Sequence, residues 1–136
     1  MIIDSHCHLE YEPMSLALNE TITRANKDGV KFLLTISTTD KSLNKILKIT
    51  EDFNCVYGTY GIHPHEAKNY KNIKSEDIIR KIKLSKKIIG IGESGLDFYY
   101  NHSDKKDQME CFEEHINAAQ VLNIPLIVHT RSAETE

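Results

Sequence analysis

The stretch Ile2-Ile3-Asp4-Ser5-His6-Cys7-His8 decides how the chain is read. Two apolar residues run into an acid and then into two histidines at i and i+2. Side chains alternate faces along an extended strand, so His6 and His8 project to one side and Cys7 to the other. Two imidazoles on one side of a strand end can reach a single divalent ion, with Asp4 near enough to accept a ring N–H or add a ligand. The competing reading is a polar strand-to-loop turn, and the rest of the chain decides between them.

Moving outward, the same unit recurs: a short apolar run, a polar end, then a helical pattern. Leu18, Ile22 and Ala25 follow at helical spacing, with Asp28-Gly29 as a C-terminal stop. Lys31 to Ser37 reads as a second strand, continuous enough to be buried on both faces. Leu43, Ile46, Leu47 and Thr50 mark a second helix. Cys55 to Ile62 forms a third strand that runs into His63-Pro64-His65. Ser75 is placed as an N-cap, with Glu76 and Asp77 in the first turn and Ile78, Ile79 and Ile82 as the apolar stripe. Lys87 to Gly92 is a fourth strand ending at Glu93, and Met109, Phe112, Ile116, Ala119 and Leu122 trace a long amphipathic helix. Leu126 to His129, entered through Pro125, is the fifth strand.

Strands alternating with helix-length crossovers predict a parallel α/β sheet. An open doubly wound sheet and a closed (β/α)8 TIM-like barrel both fit that alternation. The first strand-to-helix loop carries neither G-x-G-x-x-G nor a Walker A pattern, so nucleotide binding gets no support. The strand ends, by contrast, share chemistry: His6 and His8, His63, Glu93 and His129 all sit at C-terminal ends, where barrel enzymes gather their active sites. The barrel is favoured, incomplete here at about five strand-helix units.

Composition is that of an ordinary globular domain, with 40% hydrophobic and 27% charged residues. No apolar run approaches membrane-spanning length, and the first residues pass directly into polar sequence, so a cytoplasmic location is expected and no membrane association. Three cysteines far apart, Cys7, Cys55 and Cys111, predict reduced, mostly buried thiols. A net charge of −3 argues against a passive nucleic-acid-binding module more than against an enzyme, which can hold phosphate at a local cationic site.

His6, His8, Glu93 and His129 form a candidate metal set of nitrogen and carboxylate donors suited to zinc, manganese or a similar divalent ion. A carboxylate can bridge two ions, and a two-metal site suits phosphoester hydrolysis, which makes Glu93 the candidate catalytic carboxylate. Glu93 alone could be a loop acid and His129 a satisfied core histidine, but four placements at equivalent positions, the ends of strands one, four and five, favour the cluster. His63 and His65 share the i, i+2 spacing, yet Pro64 predicts a turn, so substrate contact or a turn role suits them better. Arg131, two residues beyond His129, shares its face if the strand continues and could grip a phosphate, though a solvated arginine fits the position equally. His102 and His115 read as surface residues, the lysines of 81–87 as a solvated helix end, and Cys7 as packed rather than catalytic.

Four segments together resemble the TatD family of metal-dependent deoxyribonucleases, within the amidohydrolase-like barrels. They are Asp4-Ser5-His6-Cys7-His8-Leu9, Gly61-Ile62-His63-Pro64-His65, Gly92-Glu93-Ser94-Gly95-Leu96-Asp97 and Ile124-Pro125-Leu126-Ile127-Val128-His129-Thr130-Arg131. Gln108 and the helix before Pro125 also fit. The resemblance implies that His6 and His8 bind one metal, that Glu93 bridges two, that His129 belongs to the second, and that His63 contacts substrate phosphate. It implies two divalent ions (Zn, Mg or Mn), a DNA substrate, and in several members 3′-to-5′ exonuclease activity.

Family members are considerably longer, and their final strands carry a further histidine and a metal-binding aspartate that this sequence does not supply. Residues 1–136 are therefore expected to be the amino-terminal portion of one TIM-barrel metal-hydrolase domain. Unpaired sheet edges would then favour self-association or pairing with a carboxyl-terminal half. A hydrolase of another small ester or amide, and a non-catalytic metal-binding remnant, stand as alternatives.

Overall fold

The computed structural model describes residues 1–134. Five strands alternate with four helices: β1 (Ile2–Cys7), α1 (Leu18–Lys27), β2 (Val30–Thr35), α2 (Asp40–Asp52), β3 (Val56–Tyr60), α3 (Ser75–Ile82), β4 (Ile88–Asp97), α4 (Lys105–Leu122) and β5 (Leu126–Arg131). Short 3₁₀ turns occupy Met14–Leu16 and Pro64–Asn69. Among the described residues no helix is long and apolar enough to cross a membrane.

The strands lie in the order β1-β2-β3-β4-β5, and every neighbouring pair is parallel. That order excludes the doubly wound alternative, in which the strand order reverses and helices cover both faces. Successive same-handed crossovers instead keep every helix on one face, as in a barrel wall. Two clusters fill the space beneath them. Ile22 of α1 and Ile49 of α2 pack on Leu33 and Val56, while Leu43, Ile46, Ile78, Ile82, Cys111 and Ala118 pack on Tyr60, Ile88 and Ile91. The result is a half-barrel.

The opposite sheet face lacks this cover. Phe32 alternates with core Leu33 and stands beside Ile3, its register partner on β1; they are 40% and 58% exposed. Ile89, next to core Ile88, is also exposed. The expectation that β2 is buried on both faces is therefore corrected: its second face is the unfilled barrel interior.

Local signals explain most element ends. Thr39 caps α2 by accepting the Ser42 N–H, and Asn123 closes α4 in the left-handed region. At α3 the cap is Lys74 rather than Ser75: Asp77 accepts the Lys74 N–H, and Ser75 N–H donates to Glu114 on α4. Lys87, expected in solvent, donates to the carbonyls of Thr50, Phe53 and Val56 and ties the end of α2 to β3 and β4.

The buried stripe of α4 also differs from expectation. Gln108, Cys111, His115 and Ala118 face the sheet, while Met109 is exposed. His115 is fully buried, not a surface residue. Its Nε2 accepts the Ile62 N–H and its Nδ1 donates to the Cys111 carbonyl, so it pins the end of β3 just before His63. Burial holds its imidazole down at about pH 4, hence neutral at physiological pH. Two polar residues on the buried face hid its period from a purely apolar count.

Candidate metal centre

β4 extends five residues past its expected end, to Asp97, and this extension carries Glu93 into the barrel mouth. Two glycines make the path available. Gly92 and Gly95 have φ of +121° and +151°, and a Cβ on either would collide with the backbone of Ile127 or His129 on β5. The Glu93 N–H donates to the Ser37 carbonyl beyond β2, and the Thr59 hydroxyl donates to the Gly92 carbonyl. The peptide that carries Glu93 is thus held from two sides before any ligand is considered.

The two oxygens of Glu93 face different histidines. Oε2 lies 3.5 Å from His6 Nε2 and 3.9 Å from His8 Nε2. Oε1 lies 2.9 Å from His129 Nδ1 and 3.9 Å from His63 Nε2. Ligating atoms of His6, His8 and Glu93 come within 4.8 Å of one another, and those of His63, Glu93 and His129 form a second such group. The structure brings His6, His8, Glu93 and His129 to one point, with His63 beside them. The cleft above, about 480 Å³, is also lined by Tyr11, Thr38, His65 and Arg131. A groove of about 560 Å³ beside Tyr70 and Lys81 holds none of these groups.

Hydrogen bonds decide which nitrogen each ring offers. His8 Nδ1 donates to the Ile36 carbonyl at 3.0 Å, which leaves the Nε2 lone pair free on the side of Glu93. Behind it, fully buried Glu10 accepts from Thr35 and Ser42 and lies 3.5 Å from His8 Nδ1. That contact raises the affinity of His8 for a proton above the ordinary histidine value. Sequence reasoning passed over Glu10, whose one signal was an acid two residues after a candidate ligand. Asp4 is corrected: its carboxylate accepts the backbone N–H of His6 rather than serving a ring.

His63 is set up differently. Its Nδ1 accepts the His65 N–H at 3.2 Å, so the proton of the neutral ring sits on Nε2, making that atom a donor. Burial, against the attraction of Glu93, holds this imidazole at about pH 4 and keeps it uncharged near neutrality. A ring in this tautomer suits hydrogen bonding to an oxygen better than ligation of an ion.

Asp97 is the second residue whose role the sequence does not reveal. Fully buried, it places Oδ2 2.9 Å from His65 Nε2 and 3.0 Å from His129 Nε2, while Oδ1 accepts the N–H groups of Tyr99 and Tyr100. Burial opposes its ionised form, but hydrogen bonds from Tyr100 N–H, His65 and His129 outweigh this and hold the carboxyl well below the usual range. His129 is thereby clamped between two carboxylates, its Nδ1 toward Glu93. His65 reaches the same cleft despite Pro64, because the 3₁₀ turn brings its ring within 4.4 Å of that of His63. Arg131 is exposed, its guanidinium 5.1 Å from the centre of the Tyr100 ring. Cys7 points away as expected: its thiol donates to the Leu34 carbonyl, and burial pushes it up to about 12. All three cysteines are free, Cys111 buried and the others half-buried.

Comparison with known proteins places these features in context. A family model described as TatD related DNase matches residues 3–136. An uncharacterized metal-dependent hydrolase of Buchnera aphidicola subsp. Acyrthosiphon pisum is 34% identical over 143 residues, covering 99% of this chain and 54% of that protein. The 3′-5′ ssDNA/RNA exonuclease TatD of Citrobacter koseri is 30% identical over 115 residues, covering 85% of this chain and 44% of its own. The crystal structure of YJJV, a TatD homolog from Escherichia coli K12, superposes with a TM-score of 0.82 at 24% identity, over 96% of this chain and 51% of that one. The chain spans about half the length of the curated relatives it matches.

Proposed function

Since the chain belongs to the family described as TatD related DNase, we propose that it forms the amino-terminal part of a metal-dependent hydrolase acting on phosphodiester bonds of DNA. One observation carries this reading: a single buried carboxylate turns each of its oxygens toward a separate set of histidines. Nitrogen and carboxylate donors of this mix fit zinc, manganese or a similar divalent ion. His6, His8 and Glu93 would hold one ion, and Glu93 with His129 would contribute to a second. Divalent ions held there would supply an activated water and neutralise charge on the phosphate.

The chain's own residues have definable tasks. Glu93 fixes the spacing between the two donor sets. The Ile36 carbonyl orients His8, and Asp97 orients His129. His63 presents Nε2–H as a donor to a non-bridging phosphate oxygen, in an uncharged state that does not repel divalent cations in the cleft. Arg131, at the rim of the same cleft, offers a guanidinium to the neighbouring phosphate.

Metal content and turnover test this. The chain, alone and mixed with the carboxyl-terminal half of a full-length relative, is assayed with Mg²⁺ or Mn²⁺ on a single-stranded oligonucleotide and on bis(p-nitrophenyl) phosphate. The expected result is oligonucleotide hydrolysis in the mixture and loss of bound metal in His6→Ala and Glu93→Ala. Unchanged metal content in both variants would remove the site. Turnover of the small ester without any of the oligonucleotide would move the substrate class to small phosphoesters.

A further inference from the structure

The loop between β4 and α4 carries three exposed rings, Tyr99, Tyr100 and His102, that the candidate metal centre does not use. They are not scattered. From the centre outward the ring centroids step from His63 to His65 at 4.4 Å and from His65 to His102 at 4.5 Å. His102 is stacked 5.6 Å from Tyr100 at an interplanar angle of 15°, and Tyr99 stands edge-on to Tyr100 at 4.8 Å. Tyr99 and Tyr100 are 66% and 51% exposed at the outer end of this ladder. Cations flank it, with Arg131 over Tyr100 and Lys105 Nζ 4.2 Å from the centre of Phe98.

The loop is also rigidly built. Asp97 accepts both tyrosine N–H groups, and the Phe98 N–H donates to the Arg131 carbonyl. Fully buried Gln108 accepts the Asp97 N–H and donates to the carbonyls of Asp97 and Ser103. Buried hydrogen bonds thus hold aromatic rings out in water, an arrangement that packing alone does not reward. Rings backed by cations, beside a cleft suited to phosphate, are how single-stranded nucleic acid is bound without base pairing: bases stack and the backbone is neutralised.

We propose that Tyr99, Tyr100 and His102, with Arg131 beside them, form a stacking subsite for an unpaired nucleobase of the strand whose scissile phosphate lies at Glu93. This rests on the phosphodiesterase reading above and adds to it the residues that would hold a base. A base stacked in a duplex cannot lie on these rings, so the subsite selects single strands or frayed ends. Asp97 joins the two functions, because the same carboxylate holds His129 and the tyrosine-bearing turn.

The test uses the full chain with Mn²⁺ and a deoxythymidine hexamer carrying 2-aminopurine at either end in turn, read by fluorescence quenching and anisotropy. A second hexamer is abasic at that position, and both strands carry fluorescein at the opposite end so that anisotropy reads binding to each. The wild type should quench the label at one end. The double substitution Tyr99→Ala with Tyr100→Ala should remove the quench and weaken binding by about ten-fold or more. Tyr99→Phe with Tyr100→Phe should preserve both. On the abasic strand the alanine pair should cost little, since the partner base is already gone. Equal losses on the abasic and intact strands, or binding of the alanine pair equal to wild type, would overturn the subsite while leaving the nuclease reading standing. A wild type with affinity for neither strand would overturn both.

Discussion

His129 and His63 sit within one ring-width of each other, with centroids 4.5 Å apart, yet their hydrogen bonds give them opposite capacities. His129 faces Glu93 through Nδ1 while Asp97 engages its other nitrogen; His63 has its acceptor nitrogen already used by a backbone N–H. His129→Ala is therefore expected to lower metal stoichiometry by mass spectrometry, whereas His63→Ala should keep the metal and lose turnover, by about 100-fold if it serves as an oxyanion donor. Asp97→Asn should weaken metal affinity by about 10- to 100-fold in calorimetric titration, the usual cost of losing an outer-shell carboxylate. His115 gives a pH test remote from the metal. Its imidazole is held near 4 when folded and titrates near 6.5 when unfolded, so the unfolded chain binds more protons between those values. The contribution of His115 to stability therefore falls as pH drops through that window, by about 2–3 kcal/mol at pH 4.5, read in urea unfolding as the difference from His115→Gln. His115→Gln should be less stable than wild type at pH 7.5 but lose less on acidification. The donor side chains at this scale were legible in the sequence, since His6, His8 and His129 announce themselves at strand ends. The supporting Glu10, Asp97 and His115 were not, because a buried polar residue is justified only by a partner brought from elsewhere in the chain.

At the scale of elements, β4 does the most to place the site. A regular strand would carry bulk at positions 92 and 95, but the close approach of β5 leaves room for hydrogen alone. Gly92→Ala and Gly95→Ala each combine a collision with a backbone conformation that alanine adopts poorly. Each is expected to cost more than about 2 kcal/mol in thermal or urea unfolding and to reduce bound metal, since Glu93 must move. The sequence read the existence and type of all five strands and four helices. It ended β4 too early because the run Gly92-Glu93-Ser94-Gly95 reads as loop by propensity; pairing with β5 makes it strand, a decision taken across the sheet. It likewise missed the buried face of α4, where Gln108 and His115 owe their burial to backbone groups of β4 and β3.

For the whole molecule, the consequence of five strands in sequential order is a wall with two edges and an open apolar interior. Ile3, Phe32 and Ile89 face the space that the remaining wall of a barrel would fill. We propose that a carboxyl-terminal half-barrel occupies it, in the manner of the longer relatives. The chain alone should bind a hydrophobic dye and elute above its monomer size on gel filtration; adding the carboxyl-terminal half of a relative should suppress both. Phe32→Lys should also reduce self-association but prevent that complementation, and complementation undiminished by it would count against the face. What the sequence by itself determined is the alternation of elements and the chemistry at the strand ends, because periodicity and residue type are local properties. Only the tertiary structure decided which nitrogen each histidine offers, which polar residues are buried behind them, and which described side chains line the open face of the sheet. Those depend on atoms far apart in the chain meeting at hydrogen-bonding distance, which no local pattern encodes.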